Sequence, residues 1–245
     1  MPFRHTAAGT LVTALVLLAA PTPPAATAAA LPAGCTSGAL PTGGVHLVCT
    51  QGVPAGTTLS GTDQADIIEV EGGVFSSTID GGDGDDIIRL TYFRVPGYDK
   101  ASRLDGGSGN DTISVGKLAG PLRGGPGADE ITVDGTPPVE SRLPKPATVH
   151  GDEGDDTIRV GAIGIGDGAR ATYLSGGAGA DLIEVPSAGQ DGYATVSGDD
   201  DDDVIQGPGA TQVVLGPYGT VDGGEGDNTC RTDNNAGGTV TRCRS

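Results

Sequence analysis

The chain has 245 residues, 44 of them Gly and 17 Pro, with no Trp, five Tyr and three Phe. So few aromatic side chains exclude an ordinary two-layer core, in which aromatics supply much of the buried area. Acidic residues number 32 against 14 Lys and Arg, a formal charge of −18. That balance excludes nucleic acid as a partner, because phosphate binding needs clustered Lys and Arg, and it makes metal cations the natural counter-charge.

Residues 1–30 read as a secretory signal peptide. Arg4 and His5 form a short polar start, Leu11 to Ala20 is an apolar run, Pro21 to Pro24 breaks it, and cleavage is expected after Ala28 or Ala30. The run is too short to span a bilayer comfortably. No second apolar stretch follows, so the expectation is a secreted, soluble monomer with no membrane span. Leu31 to Cys35 superficially resembles a lipobox, but Leu31 lies four residues before Cys35 rather than three, and lipidation is not expected.

Residues 31–58 are expected to form an N-terminal cap and residues 232–245 a C-terminal one. Cysteines in a secreted chain favour disulfides. Four Cys allow three connectivities, and the sequence-local one, Cys35 with Cys49 and Cys230 with Cys243, is expected. No C-x-x-C spacing points to a zinc or redox site.

Between the caps the chain repeats. Eight turn segments align: Gly61–Asp66, Gly81–Asp86, Gly106–Asp111, Gly124–Asp129, Gly151–Asp156, Gly176–Asp181, Gly198–Asp203 and Gly223–Asn228. The first position is Gly in all eight, the fourth is Gly in six, and the sixth is Asp in seven and Asn in the last. Two residues before each turn stands an aliphatic (Leu59, Ile79, Leu104, Leu122, Val149, Leu174, Val196, Val221). Two residues after each sixth position stands Ile68, Ile88, Ile113, Ile131, Ile158, Ile183, Ile205 and finally Cys230. This period of two predicts short strands with one buried face. Turn starts are 18 to 27 residues apart with no helical periodicity between them, so the expected fold is all-β: a parallel β-roll or β-solenoid of about eight coils, with Gly-Asp turns on one edge and disulfide-stapled ends.

These turns resemble the G-G-x-G-x-D-x-U-x nonapeptide of RTX (repeats-in-toxin) proteins, the hemolysin-type calcium-binding repeat. Gly81 to Arg89, Gly106 to Ser114 and Gly176 to Glu184 match it at every defined position, and the resemblance covers residues 59–231. It implies a parallel β-roll that holds Ca²⁺ between stacked turns. The chain departs from the family pattern in carrying one nonapeptide per coil. The opposite turn is irregular, as in Val95-Pro96-Gly97-Tyr98 and Gly135 to Pro146, so one column of sites is expected rather than two. It also carries an N-terminal export signal and no toxin or protease domain.

The chemistry of the turn agrees with that expectation. Glycines admit left-handed backbone and let a tight turn aim several carbonyls into one space. Asp adds a short anionic oxygen ligand, and Ca²⁺ takes six to eight oxygens in tolerant geometry. One turn offers too few, so each ion should bridge two adjacent turns, and eight turns enclose at most seven gaps. The expected ligands are the side chains of Asp66, Asp86, Asp111, Asp129, Asp156, Asp181, Asp203 and Asn228, with the backbone of Gly82, Gly84, Gly107, Gly109, Gly125, Gly127, Gly154, Gly177, Gly179 and Gly226. The first turn has Gln64 at its fourth position, the seventh has Asp201 and the eighth ends in neutral Asn228, so the turns from Gly81 to Asp181 should bind best. Stacked unneutralised carboxylates repel, so folding should be coupled to calcium.

No H-E-x-x-H, G-x-S-x-G or P-loop motif is present, and enzymatic activity is not expected. The two histidines after the signal read as surface or structural: His46 inside the first Cys loop, and His150 in the outward slot shared with Ser60, Asp80, Asp105, Arg123, Ser175, Ser197 and Asp222. The alternative is a β-solenoid enzyme acting on polysaccharide, a lyase, hydrolase or epimerase-like activity. For either that or an adhesive module bound to cell-wall or extracellular polysaccharide, the one basic-aromatic cluster is Arg94, Lys100 and Arg103 near Tyr92, Phe93 and Tyr98. Decoration of a longer turn is its simpler reading.

Overall fold

The computed structural model describes residues 31–95, 99, 101–136, 146–161 and 171–244. Residues 1–30, where a signal peptide is expected, the turn residues Pro96, Gly97, Tyr98 and Lys100, and residues 137–145, 162–170 and 245 lie outside them.

The chain forms an all-β parallel solenoid of about seven turns. Each coil leaves its Gly-Asp turn along a strand of the first sheet, passes through the irregular edge to a strand of the second, and runs along that strand into the next Gly-Asp turn. The first sheet has ten strands in strict chain order: Cys35–Ala39, Val45–Cys49, Ile67–Phe75, Ile87–Arg94, Thr112–Ala119, Glu130–Val133, Thr157–Val160, Leu182–Glu184, Val204–Gln206 and Thr229–Cys230. The second has nine: Thr58–Ser60, Thr78–Asp83, Leu104–Ser108, Pro121–Pro126, Thr148–Glu153, Thr172–Ala178, Ala194–Asp200, Gly219–Asp222 and Thr239–Thr241. Every pairing in these two sheets is parallel except the first, where Cys35–Ala39 meets Val45–Cys49 antiparallel.

The aliphatic rows read from the sequence become the core. Ile68, Ile88, Ile113, Ile131, Ile158, Ile183 and Ile205 are directly paired from coil to coil. Facing them, Leu59, Ile79, Leu104, Leu122, Val149, Leu174, Val196 and Val221 form the matching row of the second sheet. All of these are at most 2% exposed. A buried aliphatic side chain contributes roughly 1.5–3 kcal/mol. A lone coil carries only three or four, which is too few to offset its ordering entropy, so stability comes from stacking.

Both disulfides form as expected, Cys35–Cys49 and Cys230–Cys243, and mark an oxidising compartment. The end segments contribute strands to the two sheets. Val45–Cys49 already lies in the first sheet, with Cys49 paired to Val70 and fully buried. At the other end Thr239–Thr241 extends the second sheet, with Val240 opposite Val221. The reason is physical: a solenoid end exposes unpaired backbone unless a further strand covers it. Among the described residues no helix is long and apolar enough to cross a membrane.

On the irregular edge the C-terminal coils gain a short third sheet of Ser187–Ala188, Val213–Leu215 and Thr232–Asp233. Of the basic-aromatic group on this edge, Tyr98 and Lys100 lie outside the described residues. Phe93 is fully buried in the core, Tyr92 packs on Phe75 at 5.6 Å between ring centres, and Arg103 pairs with Asp105 at 2.8 Å.

Candidate metal centre

The Gly-Asp turns place the eight sixth-position residues in one file. Asp66, Asp86, Asp111, Asp129, Asp156, Asp181, Asp203 and Asn228 are each only 1–2% exposed. The file is a hydrogen-bonded ladder with one polarity. The backbone N–H of each residue donates to Oδ1 of its counterpart in the next coil: Asp66 to Asp86 at 2.7 Å, Asp111 to Asp129 at 2.7 Å, Asp156 to Asp181 at 2.8 Å and Asp203 to Asn228 at 2.7 Å, with the intervening rungs alike. The first rung is supplied from the cap, where the Val45 N–H donates to Asp66 Oδ1 at 2.5 Å.

The second oxygen is handled differently. Oδ2 of Asp86, Asp111, Asp129, Asp156, Asp181 and Asp203 is buried and receives no hydrogen bond. A buried acceptor without a donor costs about 1–3 kcal/mol, and more when charged. Each of these oxygens and a backbone oxygen of the next coil both border the place where a side chain on the first-position glycine would be. A Cβ added to Gly81 would lie 2.4 Å from Asp86 Oδ2 and 1.9 Å from the Gly106 carbonyl oxygen; at Gly151 the distances are 2.0 Å to Asp156 Oδ2 and 2.4 Å to the Gly176 oxygen. The same holds at Gly106, Gly124, Gly176 and Gly198. The invariant first glycine is thus explained by space: a carboxylate and a carbonyl converge where its side chain would be.

Burial is the main cause that lifts these carboxyls above their ordinary 3.8, with neighbouring carboxylates adding to it and the donated N–H opposing it. Asp86 and Asp129 rise to about 6, Asp111, Asp156 and Asp203 to about 7, and Asp181 to about 8. The file therefore calls for positive charge at each orphaned oxygen.

A hard cation suits this donor set. Carboxylate and carbonyl oxygens are the ligands of Ca²⁺. Among the described residues no three His, Cys, Asp or Glu side chains gather as a metal-holding group, so further ligands would have to be backbone oxygens. The carbonyl that converges with each orphan on the place of a first-position side chain belongs to the first-position glycine of the next turn, which was not among the glycines expected as ligands. The glycines expected as ligands hold the second and fourth positions of the turn. Gly82 and Gly84 have φ of +110° and +107°, as the tight turn requires. Their carbonyls point along the stack, so that a Cβ at Gly107 would lie 1.9 Å from the Gly82 oxygen and one at Gly109 2.4 Å from the Gly84 oxygen. Gly125, Gly127, Gly154, Gly177, Gly179 and Gly226 repeat this contact in later coils. Third-position carbonyls are engaged: those of Ser108, Glu153 and Ala178 accept the N–H of Gly84, Gly127 and Gly154 at 2.7 Å.

Two further features escaped the sequence reading. Thr62, at the second position of the first turn, donates its backbone N–H and its hydroxyl to Asp66 Oδ2, the hydroxyl at 3.0 Å. The fifth positions form an outer ladder, in which Asp85 and Asn110 accept the N–H of Asn110 and Ala128 at 2.8 Å. A hydroxyl at the second position of a Gly-Asp turn was visible in the chain, but its partner depends on the folded turn.

The outward slot is confirmed as one row, Asp80 beside Asp105, Asp105 beside Arg123 and Arg123 beside His150. His150 is half-buried, packed 5.4 Å from the Tyr173 ring, and burial lowers its pKa. His46 Nε2 lies 3.0 Å from Glu69 Oε2. No family model, curated protein or solved structure matches this chain.

Proposed function

We propose that the chain is a secreted, structural calcium-binding module of the RTX type, whose roll is held together along one edge by Ca²⁺ between stacked turns. The observation that carries this reading is the file of six buried Asp Oδ2 atoms that lack any donor. Left ionised at the roughly 4.8 Å spacing of stacked strands, neighbouring carboxylates repel by about 3 kcal/mol per pair at an effective dielectric of about 20. A bound dication would neutralise the file and take up the orphaned oxygens.

Within that reading each part of the turn has one task. The sixth-position Asp presents Oδ2 while its Oδ1 is pinned by the preceding coil, so the carboxylate cannot rotate away. The first-position glycine keeps that carboxylate against the neighbouring carbonyl. The left-handed second and fourth positions close the turn tightly enough for coils to stack. In the unfolded chain these oxygens are dispersed over 18 to 27 residues per repeat, so cation binding and folding are coupled. Extracellular calcium modules work at about 10⁻⁴–10⁻³ M, a range in which the chain would fold after export.

The test is far-UV circular dichroism, melting temperature and calorimetric titration of residues 31–245 in EGTA and in millimolar calcium. Gain of strand signal and melting temperature with calcium is expected. Identical spectra and melting in both, with no heat of binding, would overturn the reading.

A further inference from the structure

The two terminal turns are built differently from the six between them. Resting on the calcium reading above, we infer that the column is bounded by two built-in substitutes for the cation, Thr62 at the first turn and the Asn228 side-chain amide at the last, so that only the six intervening turns call for calcium.

The evidence lies in what each Oδ2, or its amide equivalent, touches. Asp66 Oδ2 takes two donors from Thr62. No interior turn can copy this hydroxyl contact, because the second position there is Gly82, Gly107, Gly125 or Gly177, or else Asp152 or Asp199. At the other end the Asn228 side chain keeps the ladder bond through Oδ1 and turns its Nδ2 to donate to the Glu225 carbonyl at 3.1 Å. A carboxylate in that pose would set a bare oxygen against a carbonyl oxygen, as the orphaned Asp residues do. The amide supplies the positive end of a dipole where they need a cation.

The placement follows from how stacked sites are made. An ion between coils draws oxygens from two turns, and a terminal turn has a sixth-position neighbour on one side only. Beyond Asn228 the tail brings the Arg242 carbonyl against Gly223, within 2.0 Å of where a Cβ would be, but no further Asp. Before Asp66 the cap supplies the Val45 N–H to Asp66 Oδ1, and among the described residues no sixth-position carboxylate. At both ends a carbonyl still stands where the interior turns have one, Gly81 O beside Asp66 and Arg242 O beside Asn228, but each end carries an internal donor where the interior turns have none. The expectation of up to seven ions in the gaps between eight turns, strongest from Gly81 to Asp181, is thereby narrowed to a column of six ion-demanding carboxylates.

The test compares wild type, Asn228→Asp and Asp203→Asn, all as residues 31–245, by calorimetric calcium titration and by melting in EGTA and in calcium. Asn228→Asp is expected to bind one more ion than wild type, to melt lower in EGTA, and to recover in calcium. Asp203→Asn is expected to bind one fewer ion and to melt higher than wild type in EGTA. An Asn228→Asp chain with the wild-type ion count, or with a deficit that acid relieves and calcium does not, overturns the inference while leaving calcium binding intact. If Asn228→Asp fails to fold in both conditions, Asp203→Asn decides: melting at or below wild type in EGTA overturns it. A wild-type chain that binds no calcium would instead overturn the parent reading.

Discussion

Replacing Gly151 with Ala isolates the close approach at the first turn position. Its φ is not left-handed, so no backbone strain enters. Its new Cβ would lie 2.0 Å from Asp156 Oδ2 and 2.4 Å from the Gly176 carbonyl oxygen. Neither neighbour can withdraw cheaply, because Asp156 is pinned through Oδ1 by the Asp129 N–H at 2.7 Å and the other atom is backbone of the adjacent coil. Overpacking a tight interior costs typically 1–3 kcal/mol, and two contacts this short place Gly151→Ala at the upper end, about 3 kcal/mol. Two controls separate the causes. Gly56 has φ +77° with nothing within 4 Å of a Cβ, so Gly56→Ala should cost about 1–2 kcal/mol from left-handed strain alone. Gly38 has open space and no left-handed φ, so Gly38→Ala should be neutral. Thermal unfolding in saturating calcium reads all three; about 3 kcal/mol corresponds to a fall of about 6–12 °C for a chain of this size. Gly151→Ala melting with Gly38→Ala would refute the account of the invariant glycine.

The buried carboxyls give a pH dependence of definite sign. Six of them sit at about 6 to 8 in the folded chain against 3.8 when unperturbed. Raised in the folded state, they contribute stability that is fully present below the unfolded value and lost as pH rises through the folded values. Melting temperature in EGTA should therefore fall between about pH 5 and pH 8, and millimolar calcium should flatten the slope; a rise over that interval would contradict the burial of the file. Replacing Cys230 and Cys243 with Ser should cost about 3 kcal/mol in the chain-entropy account of a short loop, read as loss of melting temperature in calcium; an unchanged value would mean that the extra strand pairing at Thr239–Thr241 holds the tail unaided.

The periodic part of this protein is legible in its sequence because it depends on covalent spacing. A strand period of two and a turn of six residues, repeated eight times, can only be buried by stacking, and the Ile68-to-Ile205 and Leu59-to-Val221 rows follow at once. The local Cys pairs likewise mark the two ends. What depends on register between coils is not legible. Nothing in the string Gly-Gly-Asp-Gly-Asp-Asp says that Asp86 will spend one oxygen on the Asp66 N–H, or that the other will lie against the Gly106 carbonyl. Phe93 reads as an edge aromatic until the Ile87–Arg94 strand carries it into the core, and the third sheet exists only because Ser187–Ala188, Val213–Leu215 and Thr232–Asp233 fall beside one another in successive coils. Thr62 and Asn228 look like lapses in a consensus. Tertiary structure makes them the two ends of the file, because the contacts that satisfy a buried carboxylate act through space and are set only when one coil lies on the next.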